Sequence, residues 1–321
     1  MKSKIVLVSP AAKEANNGNW HTAYRWAKFL SGYCDIAITQ SWNAADENPD
    51  AMIALHARRS APSIHAWAAQ HPVKPLVVVL TGTDLYRDIQ NDASAKQSLN
   101  LATHLVVLQE AGLAALPARL QGKARVIYQS AQRLKPTSKP TKQFKAVMVG
   151  HLRDEKDPLT FLKAAGLCDA KNISFEQIGD GLDAALAGAA SQAEAHQPNY
   201  RWLGGLPRAQ TRQCIKRAHV LVNCSLMEGG AHVILEAVQS GTPVLASRIS
   251  GNLGMLGAGY SGYFEVGDAA GLAAMVKRCA TEPAFLAHLQ SQCARRAELF
   301  QPAAEKRLVL KLIKNALIHP H

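Results

Sequence analysis

The sequence is short of the features on which several protein classes depend. Its six cysteines stand at 34, 168, 214, 224, 279 and 293. No pair forms Cys-x-x-Cys, no zinc-type spacing occurs, and they are too sparse for a disulfide scaffold. His-Glu-x-x-His is absent as well, so no motif predicts a metal. This usage implies a reduced compartment, and the cytoplasm is the expected location. No run approaches the ~18 uncharged apolar residues of a membrane-spanning helix. After Met1-Lys2-Ser3-Lys4 the apolar run Ile5–Val8 stops at Ser9-Pro10, short of a secretory core. Aromatics make up only 6%, whereas a nucleic-acid surface would interleave them with basic runs. The densest basic stretch, Arg133–Lys142, reads as a linker, and no nucleic-acid partner is expected.

What is present is apolar material in short runs. Hydrophobic residues form 48% of 321 residues, which excludes disorder over the whole chain. That length corresponds to about two domains of ~100–200 residues. Lys plus Arg number 36 against 24 Asp plus Glu, a formal charge of +12. Such a charge serves solubility, and it also steers and holds small anionic substrates. In the first half Lys4–Ser9, Cys34–Thr39, Ala51–His56, Leu76–Leu80 and Leu105–Leu108 read as strands. Helical spacing covers Trp20–Leu30, Ser63–Gln70 and Ala93–Ala102. Uniformly apolar strands alternating with helices predict an α/β chain with parallel sheets covered on both faces. Arg133–Lys142 holds two prolines and no apolar period, so the boundary is placed between 138 and 139. Strands then resume at Lys145–Gly150, Ile173–Ile178, Ala218–Asn223 and Pro243–Ala246, and Ala304–Ile318 is a long amphipathic helix. Two α/β units of similar size suit a large, two-part ligand.

The most informative stretch is Asn223–Ser247, NCSLMEGGAHVILEAVQSGTPVLAS. A strand ends near Asn223, a glycine turn follows, and a helix is expected to open at about Ala231. Glu228 precedes that helix and Glu236 lies on it, so the two can flank one pocket. Gly229 and Gly230 admit a ligand to bare backbone. Amides near Ala231, His232, Val233 and Ile234 offer an anion site at the positive end of the helix. A lone glutamate here would be a surface residue; the whole cluster is not accounted for that way.

This stretch resembles the nucleotide-sugar motif of the GT-B glycosyltransferases of family 4, E-G-x-G-x-x-x-x-E-A with a later G-T-P-V. The resemblance implies two Rossmann-like domains facing across a cleft, with the C-terminal helix returning to the first. Residues 1–138 plus about 302–321 would bind the acceptor, and 139–301 the nucleotide sugar. It implies that Glu228, Gly229, Gly230 and Ala231 contact the donor sugar and that Glu236 holds the ribose. The stretch Val149-Gly150-His151-Leu152-Arg153-Asp154-Glu155-Lys156 is similar to the family's G-R-L-x-x-x-K-G loop. Lys156 matches the lysine that neutralises the leaving diphosphate, and His151 replaces the arginine, supplying charge only if protonated. Trp202–Leu206 would set backbone near Leu206 against the base. In the first half, Asn16-Asn17-Gly18-Asn19-Trp20-His21 is an altered form of the family's glycine loop. Leu80-Thr81-Gly82-Thr83-Asp84 resembles its H-G-x-D loop with Thr81 in the histidine position.

Together these two loops are similar to one branch, the selenosugar synthases of selenoneine biosynthesis. That branch implies UDP-N-acetylglucosamine as donor and selenophosphate as acceptor. A sugar hydroxyl needs a general base, whereas selenophosphate is already anionic and nucleophilic, so loss of a histidine at Thr81 is tolerable. His21, Arg25, Thr83 and Arg87 are candidates for the acceptor anion, and His21 or Asp84 for activating water. Lys156 and Glu228 complete the catalytic set. No cofactor is expected, and the absence of Asp-x-Asp argues against a metal-dependent design. Three alternatives stay open at this point: a UDP-sugar transferase with a carbohydrate or lipid acceptor, a dinucleotide enzyme built on Gly179-Asp180-Gly181, and a basic binding protein.

Overall fold

A computed structural model describes residues 2–11, 18–43, 45 and 48–318. The chain divides into two compact units, residues 1–129 with 302–321, and residues 130–301. In the first unit the strands are β1 Lys4–Val8, β2 Asp35–Thr39, β3 Ala51–Leu55, β4 Leu76–Leu80, β5 His104–Val107 and β6 Ala124–Val126. All pair in parallel, in the order β2-β1-β3-β4-β5-β6. Because side chains alternate across a strand, Val6, Val8, Met52, Ala54, Val78 and Leu80 bury one face beneath helices Ala61–Gln70 and Ala93–Leu101. Ile5, Leu7, Ile53, Leu55, Val77 and Val79 bury the other beneath helices Gly18–Leu30 and Pro302–Ile318. Uniformly apolar strands thus follow from having no solvent face.

The C-terminal helix is locked to the first unit by a buried carboxylate. Glu305, fully buried, accepts from Arg25 Nε at 2.7 Å, Arg25 Nη2 at 3.0 Å and Trp26 Nε1 at 2.8 Å.

The second unit has β7 Phe144–Val149, β8 Ile173–Ile178, β9 Tyr200–Trp202, β10 Val220–Asn223, β11 Val244–Ser247 and β12 Tyr263–Phe264. These also pair in parallel, in the order β12-β11-β10-β7-β8-β9. The chain therefore winds outward from β7 to β9 and returns to start again beside β7. Such a reversal splays the loops at the carboxyl ends of the two central strands and opens a crevice there. In the second unit it lies between β7 and β10, and in the first between β1 and β3. The linker packs into the second unit earlier than the expected boundary. Leu134 N–H donates to the Gln239 carbonyl at 2.9 Å, and Arg212 Nη2 to the Gln132 carbonyl at 2.8 Å.

Candidate active site

The crevice of the second unit is bounded by residues 150–157 after β7 and 224–231 after β10. A 3-10 turn, Asp154–Lys156, carries the lysine; Asp157 closes it in the left-handed region at φ 45° and caps the helix Pro158–Leu167 through the Thr160 amide. The Leu226 amide donates to the Glu155 carbonyl at 2.9 Å, tying the two loops together. Lys156 Nζ then reaches Glu228 Oε1 at 2.5 Å. Ser225 Oγ at 2.7 Å and Asn223 Nδ2 at 3.4 Å donate to the same oxygen. Among the described residues no donor occupies Oε2. Behind them Asn252 Nδ2 holds Asn223 Oδ1 at 3.2 Å and the Ser247 carbonyl at 2.9 Å. Gly251 is required here, because a Cβ would stand 2.1 Å from the Glu228 carbonyl oxygen. Burial pushes the Glu228 carboxyl up, but the Lys156 charge and these hydrogen bonds outweigh it and hold it below its ordinary range. Glu228 is a carboxylate at neutral pH.

Glu236 lies on the helix His232–Val238 with Arg208 Nη2 at 3.2 Å and His232 Nδ1 at 3.4 Å, both at Oε1. Burial opposes its ionisation, yet His232, Arg208 and Arg212 together bring its pKa down to about 2. Sequence reasoning missed Arg208, whose partner stands many residues later. The helix begins at His232, one residue beyond the expectation, and the Ile234 amide is taken by the Ala231 carbonyl at 3.0 Å. Ile234 therefore leaves the expected set of open amides. Gly229 and Ala231 are buried, Gly230 half-buried. Leu206, half-buried, accepts from Thr211 Oγ1 at 3.2 Å through its carbonyl.

For His151 the charge is conditional on protonation. Its Nδ1 accepts the Asp180 amide at 3.2 Å, so the ring proton sits on Nε2. Burial lowers its pKa, with Arg153 and Lys156 adding to the effect against Asp180. The residue is a neutral donor and supplies no charge, leaving Lys156 as the cation of this loop that meets Glu228.

In the first unit two further corrections arise. Arg25 is committed to Glu305 and is not turned toward an anion. Asp84 is fully buried, and its carboxylate accepts the amides of Thr81 and Gly82 at 2.8 Å, Ala57 at 2.9 Å and Leu85 at 3.1 Å. Buried and engaged by four amides, Asp84 folds the loop and does not face solvent. Gly18 and His21 open the helix Gly18–Leu30, the Gly18 carbonyl accepting from Thr22 Oγ1 at 2.7 Å and that of His21 from Arg25 Nη1 at 3.3 Å. Asn16 and Asn17 lie outside the described residues.

The histidine missing at Thr81 has a counterpart that sequence reasoning overlooked. His56, buried at the end of β3, sits at φ 71°, where a residue with a Cβ costs roughly 1–2 kcal/mol. Among the described residues only His56 and Asp157 are non-glycine residues at positive φ, and both border a candidate site. The Arg59 amide donates to His56 Nδ1 at 3.3 Å, so Nε2 carries the proton and donates to Thr83 Oγ1 at 3.1 Å. Burial holds its pKa below the usual histidine range, with Arg59 and Arg58 adding to the effect against the nearby Asp84 and Asp88 carboxylates. Thr83 is left with its own hydroxyl proton to donate. Nearby, Asp88 binds Arg58 and Arg87.

Two parallel sheets, each with polar side chains gathered at strand ends, define a glycosyltransferase of GT-B architecture. HepE of Anabaena, solved with UDP and glucose, matches with a TM-score of 0.78 at 16% identity, covering 98% of this chain and 100% of that one. Sucrose-phosphate synthase from Thermosynechococcus elongatus matches with a TM-score of 0.78 at 15% identity, covering 99% and 100%. The pneumococcal O-GlcNAc transferase GtfA, solved with UDP and GlcNAc, matches with a TM-score of 0.67 at 19% identity, covering 93% and 60%. The chain belongs to the glycosyl transferases group 1 family, whose pattern matches residues 130–299. Among the described residues no helix is long and apolar enough to cross a membrane.

Proposed function

We propose that the protein is a selenosugar synthase that transfers N-acetylglucosamine from UDP-N-acetylglucosamine to selenophosphate. The observation that carries the donor side is the Lys156–Glu228 pair at the crevice of the second unit. Cleavage of the sugar–diphosphate bond through an oxocarbenium-like state leaves negative charge on the β-phosphate, and fixed positive groups must meet it. Lys156 supplies an ammonium, and the turn Gly229–Ala231 supplies amides, so no metal is required. Glu228 presents Oε2 to the sugar, Glu236 accepts from the ribose hydroxyls, His151 donates through Nε2, and the backbone at Leu206 meets the base. A uridine nucleotide is supported by HepE, also solved with UDP-glucose, and by GtfA with UDP.

On the acceptor side selenium attacks C1 of the sugar as the C1–O bond to UDP breaks. Water then cleaves the P–Se bond, releasing phosphate and leaving the selenol of a selenosugar. His21, Thr83 and Arg87 are assigned to this half, His21 as the group that helps activate water. The chemistry suits a site without a strong base, since Asp84 is buried and held by backbone amides and His56 carries its proton on the nitrogen facing Thr83. A carbohydrate or lipid hydroxyl as acceptor would need a general base at the attack step, a part that neither Asp84 nor His56 fills. Mass spectrometry of a reaction holding UDP-N-acetylglucosamine and selenophosphate tests the reading. Formation of selenosugar and UDP supports it; UDP release only with carbohydrate acceptors overturns it.

A further inference from the structure

The donor and acceptor assignments leave Arg58, Asp88 and His56 without a role. Asp88 is buried, and each of its oxygens is taken by a guanidinium through Nε: Oδ2 by Arg58 at 2.8 Å and Oδ1 by Arg87 at 3.0 Å. Attachment through Nε leaves the terminal amino groups of both guanidinium groups uncommitted to Asp88. Among the described residues no acceptor takes these four amino groups, and both side chains are about two-fifths exposed, 40% and 44%. Arg58, Arg87 and Asp88 together carry one net positive charge, and Arg59, also exposed, adds another. Beside them stands Thr83, its hydroxyl accepting from His56 and free to donate onward. The cluster lies at the carboxyl ends of β3 and β4, next to the chain reversal of the first unit, where α/β sheets bind ligands. Paired arginine N–H groups match oxyanions in geometry as well as charge.

We propose that Arg58, Arg87 and Thr83 form a recognition site for a tetrahedral oxyanion, the phosphoryl group of the acceptor, with Asp88 and His56 as positioning residues. This rests on the reading that the acceptor carries a phosphoryl group. Asp88 acts against its own charge: it holds two cations side by side so that they meet one dianion together. His56, held at a strained backbone angle, aims the threonine hydroxyl at the same point.

The test is calorimetric titration of the full chain with inorganic phosphate and thiophosphate. Replacing both arginines, Arg58→Ala with Arg87→Ala, is expected to weaken binding at least tenfold while UDP binding stays at the wild-type level. Asp88→Asn separates positioning from charge. It makes the cluster more positive, so a mere patch would bind phosphate more tightly, whereas the proposed site binds several-fold more weakly. Thr83→Val is expected to raise KM for the acceptor with little change in kcat, and Thr83→Ser to restore it. Wild-type phosphate affinity in the double arginine variant, or tighter binding by Asp88→Asn, overturns the proposal. Phosphate binding that follows these expectations in a protein making no selenosugar would fault the selenophosphate assignment and leave the anion site standing. Selenosugar formation with an unaltered KM in the double arginine variant would do the reverse.

Discussion

Lys156→Met keeps an apolar stem and removes the ammonium that faces Glu228. The Glu228 side chain is only 9% exposed and the lysine 25%. Breaking a fully buried ion pair by removing one partner costs about 3–5 kcal/mol; partial solvation of Lys156 reduces that, and we expect about 2–3 kcal/mol at pH 7. With the ammonium gone, burial is left to push the Glu228 carboxyl up. The sign of the pH dependence then reverses. In the wild type the folded pKa lies below the unfolded one, so Glu228 adds stability above that value, lost as pH falls through the folded pKa. In the variant burial dominates, the folded pKa lies above the unfolded one, and stability falls as pH rises through it. Urea unfolding between pH 3 and 8 should show the two proteins nearly alike at the acid end and diverging toward neutrality. The double variant Lys156→Met with Glu228→Gln should regain about 1–2 kcal/mol, because a neutral amide needs no countercharge. Equal stability at pH 7, or a gap that does not change with pH, would refute the pairing as described.

Glu305→Ala strands Arg25 and Trp26 Nε1 and should cost about 3–5 kcal/mol in chemical denaturation, with UDP binding retained by the protein that stays folded. Glu236, with its pKa near 2 against an ordinary 4.5, should contribute about 3 kcal/mol above pH 4.5, lost as pH falls toward 2; acid unfolding of Glu236→Gln should be flatter over that window. Gly251→Ala should displace the Glu228 loop, because the new methyl would lie 2.8 Å from Glu228 Cβ; a large rise in donor KM is expected, and wild-type kinetics would contradict it. Asp84→Ala leaves four amides of the Thr81–Leu85 and Ala57 turns without their acceptor; at about 1–3 kcal/mol for an unsatisfied group, a severe loss in Tm is expected.

The strands were legible because burial on both faces demands uniformly apolar runs, and β4, Leu76–Leu80, is fully buried along its length. The shortest strands, β6, β9 and β12, carry too few residues to stand out from loops. The placement of Lys156, Glu228 and Glu236 after β7 and β10 was legible because each sits in a local pattern of glycine, helix start and strand end. What escaped notice was set by distant partners. Arg25 reads as an open cation until Glu305 arrives on the last helix. His56 reads as the end of a strand followed by a basic turn, until Thr83 and Asp88 come up on the neighbouring strand's loop. No periodicity encodes those meetings, since they depend on β3 and β4 lying side by side in parallel register. Burial keeps His151 neutral and an amide on the loop after β8 meets its Nδ1, neither of which the motif alone reveals.

The central claim is that the second unit holds a nucleoside diphosphate with an ammonium and backbone amides. Calorimetric titration of UDP into chelator-treated protein tests it most directly. The account predicts saturable binding in the wild type and a loss of at least tenfold in Lys156→Met; absence of binding, or equal affinity in the two, would contradict it.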